Sequence, residues 1–279
     1  MVLSKSDTPP ELLDRIFQYC EKSPRYNLLI PQLRLHPLLL VCKNWHGVAE
    51  RGLYRSVSIG SDRTIKDKNG EVKLIQGRDR CRRFCETAES NAKIAYLVRD
   101  LSLGCECIRP DESEMHVRII RACRNVESIN LRGCDATILD DLKAALAKSD
   151  LTSLVLWGTS LQDDGDFMSG ESRPMLALSE ILTLLPNWPR LETISVVTGH
   201  PRDEDEDGYA HIETSDLEGL ERACPALRYI SIRDGSTFYS RDLAFLAHIA
   251  PNLEVVHIFI GLKCSDVLRA CLGTWSSSL

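Results

Sequence analysis

The sequence predicts an α/β solenoid: a short helical block, then strand–helix units stacked side by side on a parallel, curved sheet with the helices on its convex side. Three observations predict it. A hexapeptide, apolar-x-x-apolar-x-apolar, recurs at Val98–Leu103, Val126–Leu131, Leu151–Leu156, Leu191–Val196, Leu227–Ile232 and Leu253–Ile258. Proline precedes three copies by two residues, as Pro189, Pro225 and Pro251. Between copies the apolar spacing changes from a strand period to a helical one. One such unit cannot bury its own apolar face, but stacked units can.

The third apolar stations are Leu103, Leu131, Leu156, Val196, Ile232 and Ile258, at intervals of 28, 25, 40, 36 and 26 residues. The two long intervals hold insertions, Gly158 to Arg173 and Thr198 to Glu213, the second containing Asp203-Glu204-Asp205-Glu206-Asp207. Helical faces are expected at Met115, Ile119, Ile120 and Cys123, then at Leu139, Leu142 and Leu146. Others fall at Leu178, Ile181, Leu182 and Leu185, at Leu217, Leu220 and Cys224, and at Leu243, Leu246, Ala247 and Ala250. Ser240 and Ser265 read as N-caps, each with an early acid, and the prolines at 225 and 251 as helix stops. A last helix near Val267 to Leu272 would close the stack. Strand–helix–strand crossovers make the sheet parallel.

These residues resemble the leucine-rich-repeat family from about Tyr54 to the C-terminus. That family favours Asn or Cys three positions after the third apolar station. Those positions hold Glu106, Cys134, Thr159, Gly199, Gly235 and Gly261, so only Cys134 fits and the repeats are degenerate. A doubly wound sheet ranks behind, because no phosphate-binding glycine motif is present.

The first fifty residues differ in kind. Thr8-Pro9-Pro10-Glu11 reads as a helix start, with Thr8 capping, Pro9 at the first helical position and Glu11 completing a capping box. Leu12, Leu13, Ile16 and Phe17 form one stripe, and Leu38 to Trp45 form a second apolar block. Together the two blocks resemble an F-box, through Pro-x-Glu-Leu-Leu in the first and Val41-Cys42-Lys43-x-Trp45 in the second. The resemblance implies an F-box-like helical domain over 1–53 and the repeats over 54–279. It implies docking on a Skp-family adaptor, and through it on a cullin–RING ubiquitin ligase. The implied adaptor contacts are Pro9, Leu12, Leu13, Ile16, Phe17, Val41, Cys42 and Trp45. A plainer reading makes the block a cap over the first repeat, and both can hold. Residues 1–55 carry eight Lys and Arg against five Asp and Glu, net +3, in a chain whose net charge is −6.

Alternation along each strand turns the residues between the apolar stations to the open, concave face. Early copies present small polar groups there. Later ones present Trp157, Tyr229, Arg233, His257 and Phe259, which with Arg132 are the expected client contacts. The acidic insertions both follow strands, so they are expected on one rim, where they would favour basic client segments.

Catalytic and metal chemistry is not expected. Asp203-x-Asp205-x-Asp207-Gly208 imitates a calcium loop, but Thr214 stands where a bidentate Glu belongs. Cys81-x-x-x-Cys85 and Cys105-x-Cys107 lack a second pair at zinc spacing. No Ser or Cys has a readable base beside it. No cofactor, nucleic acid or membrane is expected as a partner, the net charge and the absence of a long apolar run both counting against them. Eleven cysteines without an export signal suggest reduced thiols in cytoplasm or nucleus. Asn69-Gly70 reads as a hairpin turn. The reading is a non-catalytic substrate adaptor, with a repeat scaffold lacking any ligase as the alternative.

Overall fold

The computed structural model describes residues 8–21, 35–60, 62–66, 70–104, 109–160, 172–173, 175–197, 220–233, 237–260 and 265–275. The chain opens with helix α1 (Pro10–Glu21), a 3-10 turn at His36–Leu40 and α2 (Lys43–Arg55), which runs directly into strand β1 (Ser56–Ile59). A hairpin, β2 (Arg63–Lys66) and β3 (Val72–Ile75), precedes α3 (Gly77–Ser90) and α4 (Ala92–Leu97). Next come β4 (Asp100–Gly104), α5 (Pro110–Ala122), β5 (Ser128–Arg132), α6 (Leu139–Leu146) and β6 (Ser153–Trp157). Short strands β7 (Thr159–Ser160) and β8 (Ser172–Arg173) bracket the first insertion, and α7 (Leu178–Leu184) and β9 (Thr193–Val197) follow. The remainder is β10 (Tyr229–Arg233), β11 (Thr237–Phe238), α8 (Ser240–Ile249), β12 (Val255–His257), β13 (Phe259–Ile260) and α9 (Ser265–Trp275).

Among the described residues, seven strands form one sheet in the order β1-β4-β5-β6-β9-β10-β12, parallel at every step. Each strand pairs with the next hexapeptide in the chain, so the order never reverses. A doubly wound sheet would reverse at a switch point. The mixed α/β arrangement, a sequential parallel sheet with helices between strands, is consistent with a leucine-rich-repeat-like fold.

Register explains why the hexapeptide recurs. Leu101, Ile129, Leu154, Ile194 and Ile230 lie in one row across the sheet, and Leu103, Leu131, Leu156, Val196 and Ile232 in the next. All ten are buried, and they join the inward faces of α5, α6, α7 and α8 in one apolar core. Just ahead of the strands the backbone repeats a second device. The carbonyls of Arg99, Glu127, Thr152, Glu192 and Arg228 each accept two N–H groups from the unit that follows, at 2.7–3.1 Å. The side chains at this station also pair, Arg99 with Glu127 at 3.0 Å and Arg228 with Glu254 at 3.4 Å.

Helix ends are closed by the neighbouring unit. Trp188 donates its indole Nε1–H to the Leu146 carbonyl at 2.8 Å, and Trp275 does the same to Ala250 at 3.1 Å. The Cys224 thiol reaches the Leu185 carbonyl at 3.0 Å. The last carbonyls of a helix have no partner within it, and here a buried side chain of the next unit supplies one.

Several boundaries differ from the sequence reading. Pro10, not Pro9, is the first helical residue, because the Pro9 carbonyl accepts from Leu12 and Leu13 at 3.1 and 3.2 Å. Ser240 and Ser265 lie inside their helices rather than capping them. Asp242 accepts the Tyr239 N–H at 2.9 Å instead. The helix expected over Leu217 to Cys224 is absent from its described part. Residues 220–228 are turns, with Arg222 at φ 56°. There the N–H groups of Arg222 and Cys224 go to the carbonyls of His248 and Ile249, the end of α8, at 3.1 and 2.9 Å. Tertiary hydrogen bonds outweighed a weak local period. The sequence reading also missed β1, although Tyr54-x-x-Val57-x-Ile59 carries the same hexapeptide. The hairpin is present, with Thr64 opposite Leu74 in an antiparallel pair, while Asn69 of its expected turn lies outside the described residues.

Candidate interaction surfaces

The N-terminal block has its own small core. Leu13, Phe17, Leu35, Val48 and Ala49 are buried together, with Leu38, Leu39 and Trp45 packed on them. Phe17 and Trp45 meet edge to face, centroids 5.6 Å apart. Other apolar side chains of the block are bare: Leu12 and Ile16 are 51% exposed, Val41 53% and Leu40 83%. Pro9 and Cys42 are exposed as well. Of the eight residues expected to contact an adaptor, Pro9, Leu12, Ile16, Val41 and Cys42 therefore face outward, Trp45 is half-buried, and Leu13 and Phe17 point into the block. Leu40 was not singled out from sequence, and only its place after Pro37 in a three-leucine run hinted at it. A shallow cleft of about 220 Å³ is lined by Leu39, Leu40, Cys42, Lys43 and His46. His46 Nδ1 lies 3.0 Å from the Leu39 carbonyl and braces it.

The second surface is the face of the sheet opposite the core. Its first row is Asp100, Ser128, Ser153, Thr193, Tyr229 and Val255, and its second Ser102, Asn130, Val155, Ser195, Ser231 and His257. At the C-terminal ends of the strands Gly104 lies beside Arg132, Arg132 beside Trp157, and Val197 beside Arg233. Aromatic and cationic side chains gather on the later strands. The Arg233 guanidinium lies over the Trp157 ring, 5.9 Å from its centroid, and Tyr229 meets His257 edge to face at 5.7 Å. Arg233 Nε–H also reaches Ser231 Oγ at 3.4 Å. Ser231 and Val197, which alternation turns to the open side, are in fact buried, beside these larger groups. Arg132, Trp157, Tyr229, Arg233 and His257 thus share one face. Phe259 does not belong to that strand. β12 ends at His257, and Phe259 opens β13, which pairs with β11 in a separate two-stranded sheet. An edge strand is held from one side only, and β12 stops short of its hexapeptide's third station.

The acidic stretches at 163–166 and 203–207, the calcium-like segment, Cys105 and Cys107 lie outside the described residues. Where the first insertion is described, β7 and β8 form an antiparallel stem.

One arrangement escaped the sequence reading. Cys81 on α3 has its Sγ 3.7 Å from His116 Nε2 on α5, a thiol beside an imidazole. Burial acts against nucleophilic chemistry. It pushes the Cys81 thiol up to about 11, aided by the neighbouring Glu112 carboxylate, and pulls His116 down to about 4. Both are neutral near pH 7, the reverse of a thiolate–imidazolium pair. Glu112 Oε2 and His116 Nδ1 are buried without a hydrogen-bond partner among the described residues. The described residues hold no group of three His, Cys, Asp or Glu arranged for a metal ion, and no helix among them is long and apolar enough to cross a membrane.

No family model matches the chain. No curated protein sequence matches it either. Among solved structures it is similar to the leucine-rich repeat-containing protein LegL7 from Legionella pneumophila, at 15% identity and a TM-score of 0.34, over 70% of this chain and 68% of that one. At that distance the likeness carries no argument, and the fold rests on strand order and register.

Proposed function

We propose that the chain is a non-catalytic adaptor of a ubiquitin ligase. Its N-terminal block docks on a Skp-family adaptor of a cullin–RING complex, and the open face of its sheet holds a client protein. The observation that carries this reading is that Leu12, Ile16, Leu40 and Val41 stay exposed on a block whose core is already filled. Scattered exposed apolar residues are ordinary, but four within one small block, one of them lining a shallow cleft, favour a partner helix laid against it. The F-box-like pattern in the same residues names the class of partner. Ubiquitin transfer would follow from proximity, the linked ligase supplying the chemistry.

Capture of the purified chain on an immobilised Skp-family adaptor tests the proposal. The parent chain should be retained. Leu12→Asp with Ile16→Asp should abolish retention while leaving the melting temperature within a few degrees, since both side chains are exposed. A parent chain that never binds, in a preparation shown to be folded, would leave the repeat-scaffold reading in its place.

A further inference from the structure

We propose that the N-terminal block takes a partner helix bearing acidic side chains beside an apolar stripe, and that the cleft at Leu39, Leu40, Lys43 and His46 seats one of its carboxylates against Lys43. The inference rests on this block being a docking surface, and it gives the docking partner a chemistry.

The cleft forms where the 3-10 turn runs into α2, and its walls are of two kinds. Leu39 and Leu40 supply hydrocarbon, and Leu40 is 83% exposed. Lys43 supplies charge. It is exposed and makes no ion pair among the described residues. His46 is held in place by the turn: a carbonyl only accepts, so Nδ1 donates its hydrogen to the Leu39 carbonyl at 3.0 Å. The neutral ring then offers a lone pair at Nε2, and the cation facing an occupant is the Lys43 ammonium. A side chain that is apolar along its stem and anionic at its tip matches both walls, which is the form of Glu.

Charge decides the sign of the partner, and it can be counted over the whole block from sequence. Residues 1–55 carry eight Lys and Arg against five Asp and Glu, in a chain of net charge −6. The stretch 22–34 includes Lys22, Arg25 and Arg34 and no acid. Of the five acids, Glu50 is already engaged, with Lys93 of α4 at 2.6 Å. Arg15 on α1 and Arg51 on α2 are exposed. Opposite potentials across an interface speed association and fix orientation. Leu12 and Ile16 stand one turn apart on α1, each about half exposed, the spacing by which one helix packs on another. An anionic membrane would meet the same local signs, but the net charge of the whole chain opposes it.

The test uses the full chain and three dye-labelled peptides of about eighteen residues, each with leucines at helical spacing. The positions flanking the leucines are Glu in the first, Gln in the second and Lys in the third. Fluorescence anisotropy reads affinity. The Glu peptide should bind, weaken between low and physiological salt, and outcompete the other two. The negative charge of the chain as a whole would by itself favour the Lys peptide, so a Glu preference reports on the block. Lys43→Gln should weaken the Glu peptide about two- to fivefold, and Lys43→Glu should shift preference toward the Lys peptide. Lys148→Gln, at an exposed lysine of the repeats, should change nothing. Leu40→Asn should weaken all three peptides. Bound Glu peptide should slow alkylation of Cys42, which lines the cleft. Equal binding of the Gln peptide, preference of the parent for the Lys peptide, no effect of Lys43→Gln, or an unprotected Cys42 would overturn the proposal. Uptake onto phosphatidylserine vesicles without peptide binding would overturn it too. Adaptor capture is read separately on the same preparations. Retention of the parent with no charge preference among the peptides would sink this inference and leave the proposed function standing, and charge preference without retention would do the reverse.

Discussion

The indole Nε1 of Trp188 donates to the carbonyl of Leu146 at 2.8 Å, joining residues 42 positions apart inside the core. Both residues are fully buried. The bond closes the end of α6 with a side chain from the unit that follows α7, so one contact serves both helix capping and repeat stacking. Trp188→Phe keeps most of the apolar area and removes the indole donor, leaving the Leu146 carbonyl with the Ser149 N–H at 3.0 Å. We expect a loss of about 0.5–1.5 kcal/mol in urea unfolding. Trp188→Ala should cost about 3–5 kcal/mol. Equal stability of parent and Trp188→Phe would show that the hydrogen bond has no net worth.

Gly60 follows β1 at φ +112°, and a Cβ placed there would lie 1.4 Å from the Gly104 carbonyl oxygen. The backbone conformation alone disfavours a side chain by about 1–3 kcal/mol. The close approach adds to it, because β1 must shift away from β4. Gly60→Ala should lower the melting temperature markedly and raise amide exchange across β1. Gly70→Ala, at φ +82° with nothing within 4 Å of where a Cβ would lie, should cost less. A reversed order would contradict the register of β1 on β4.

His116 gives stability a dependence on mild acid. Burial pulls its pKa from 6.5 to about 4, while its Nδ1 has no partner among the described residues. The unfolded chain takes up this proton as pH falls through about 6.5 and the native chain only near 4, so between those values the unfolded state binds more protons. Stability is therefore full above about pH 6.5 and declines toward pH 4, by on the order of 3 kcal/mol from this group. Denaturant midpoints at pH 7, 6 and 5 should fall for the parent and stay flatter for His116→Gln. Parallel curves would assign the loss to other groups.

Thiol reactivity should divide sharply. Burial raises Cys81 and Cys134 to about 11 and Cys123 and Cys224 to about 12, so almost no thiolate forms at pH 8. Cys42 is exposed and lines the shallow cleft. Brief iodoacetamide treatment of the native chain, followed by peptide mass spectrometry, should label Cys42 well before those four. On the proposed function, bound Skp-family adaptor should protect it. Comparable labelling of Cys123 and Cys42 would show that α3 and α5 open readily.

The stations Leu101, Ile129, Leu154, Ile194 and Ile230 were readable in the chain because each repeats a local pattern whose period is that of a strand. The order of the strands followed, since short connections join neighbours. β1 carried the same signal with Tyr54 at its first station, and the substitution of an aromatic ring hid it. The 217–224 stretch misled for the converse reason: three apolar residues matched a helical period, while its described part spends its N–H groups on the end of α8. The open-face residues were identified by alternation, but that Arg233 would cross Val197 to reach Trp157 was not visible, since it depends on side-chain reach across two strands.

Local spacing thus determined the main-sheet strands from β4 onward, most helices, the parallel stacking and which side chains face away from the core, because each follows from the period of a few consecutive residues. Only the assembled structure decided that Trp188 and Trp275 close helices in other units, that Cys81 meets His116, and that Leu12, Ile16, Leu40 and Val41 remain bare. Those facts depend on which distant segments come within a few ångströms of one another, and nothing in the local spacing specifies that distance.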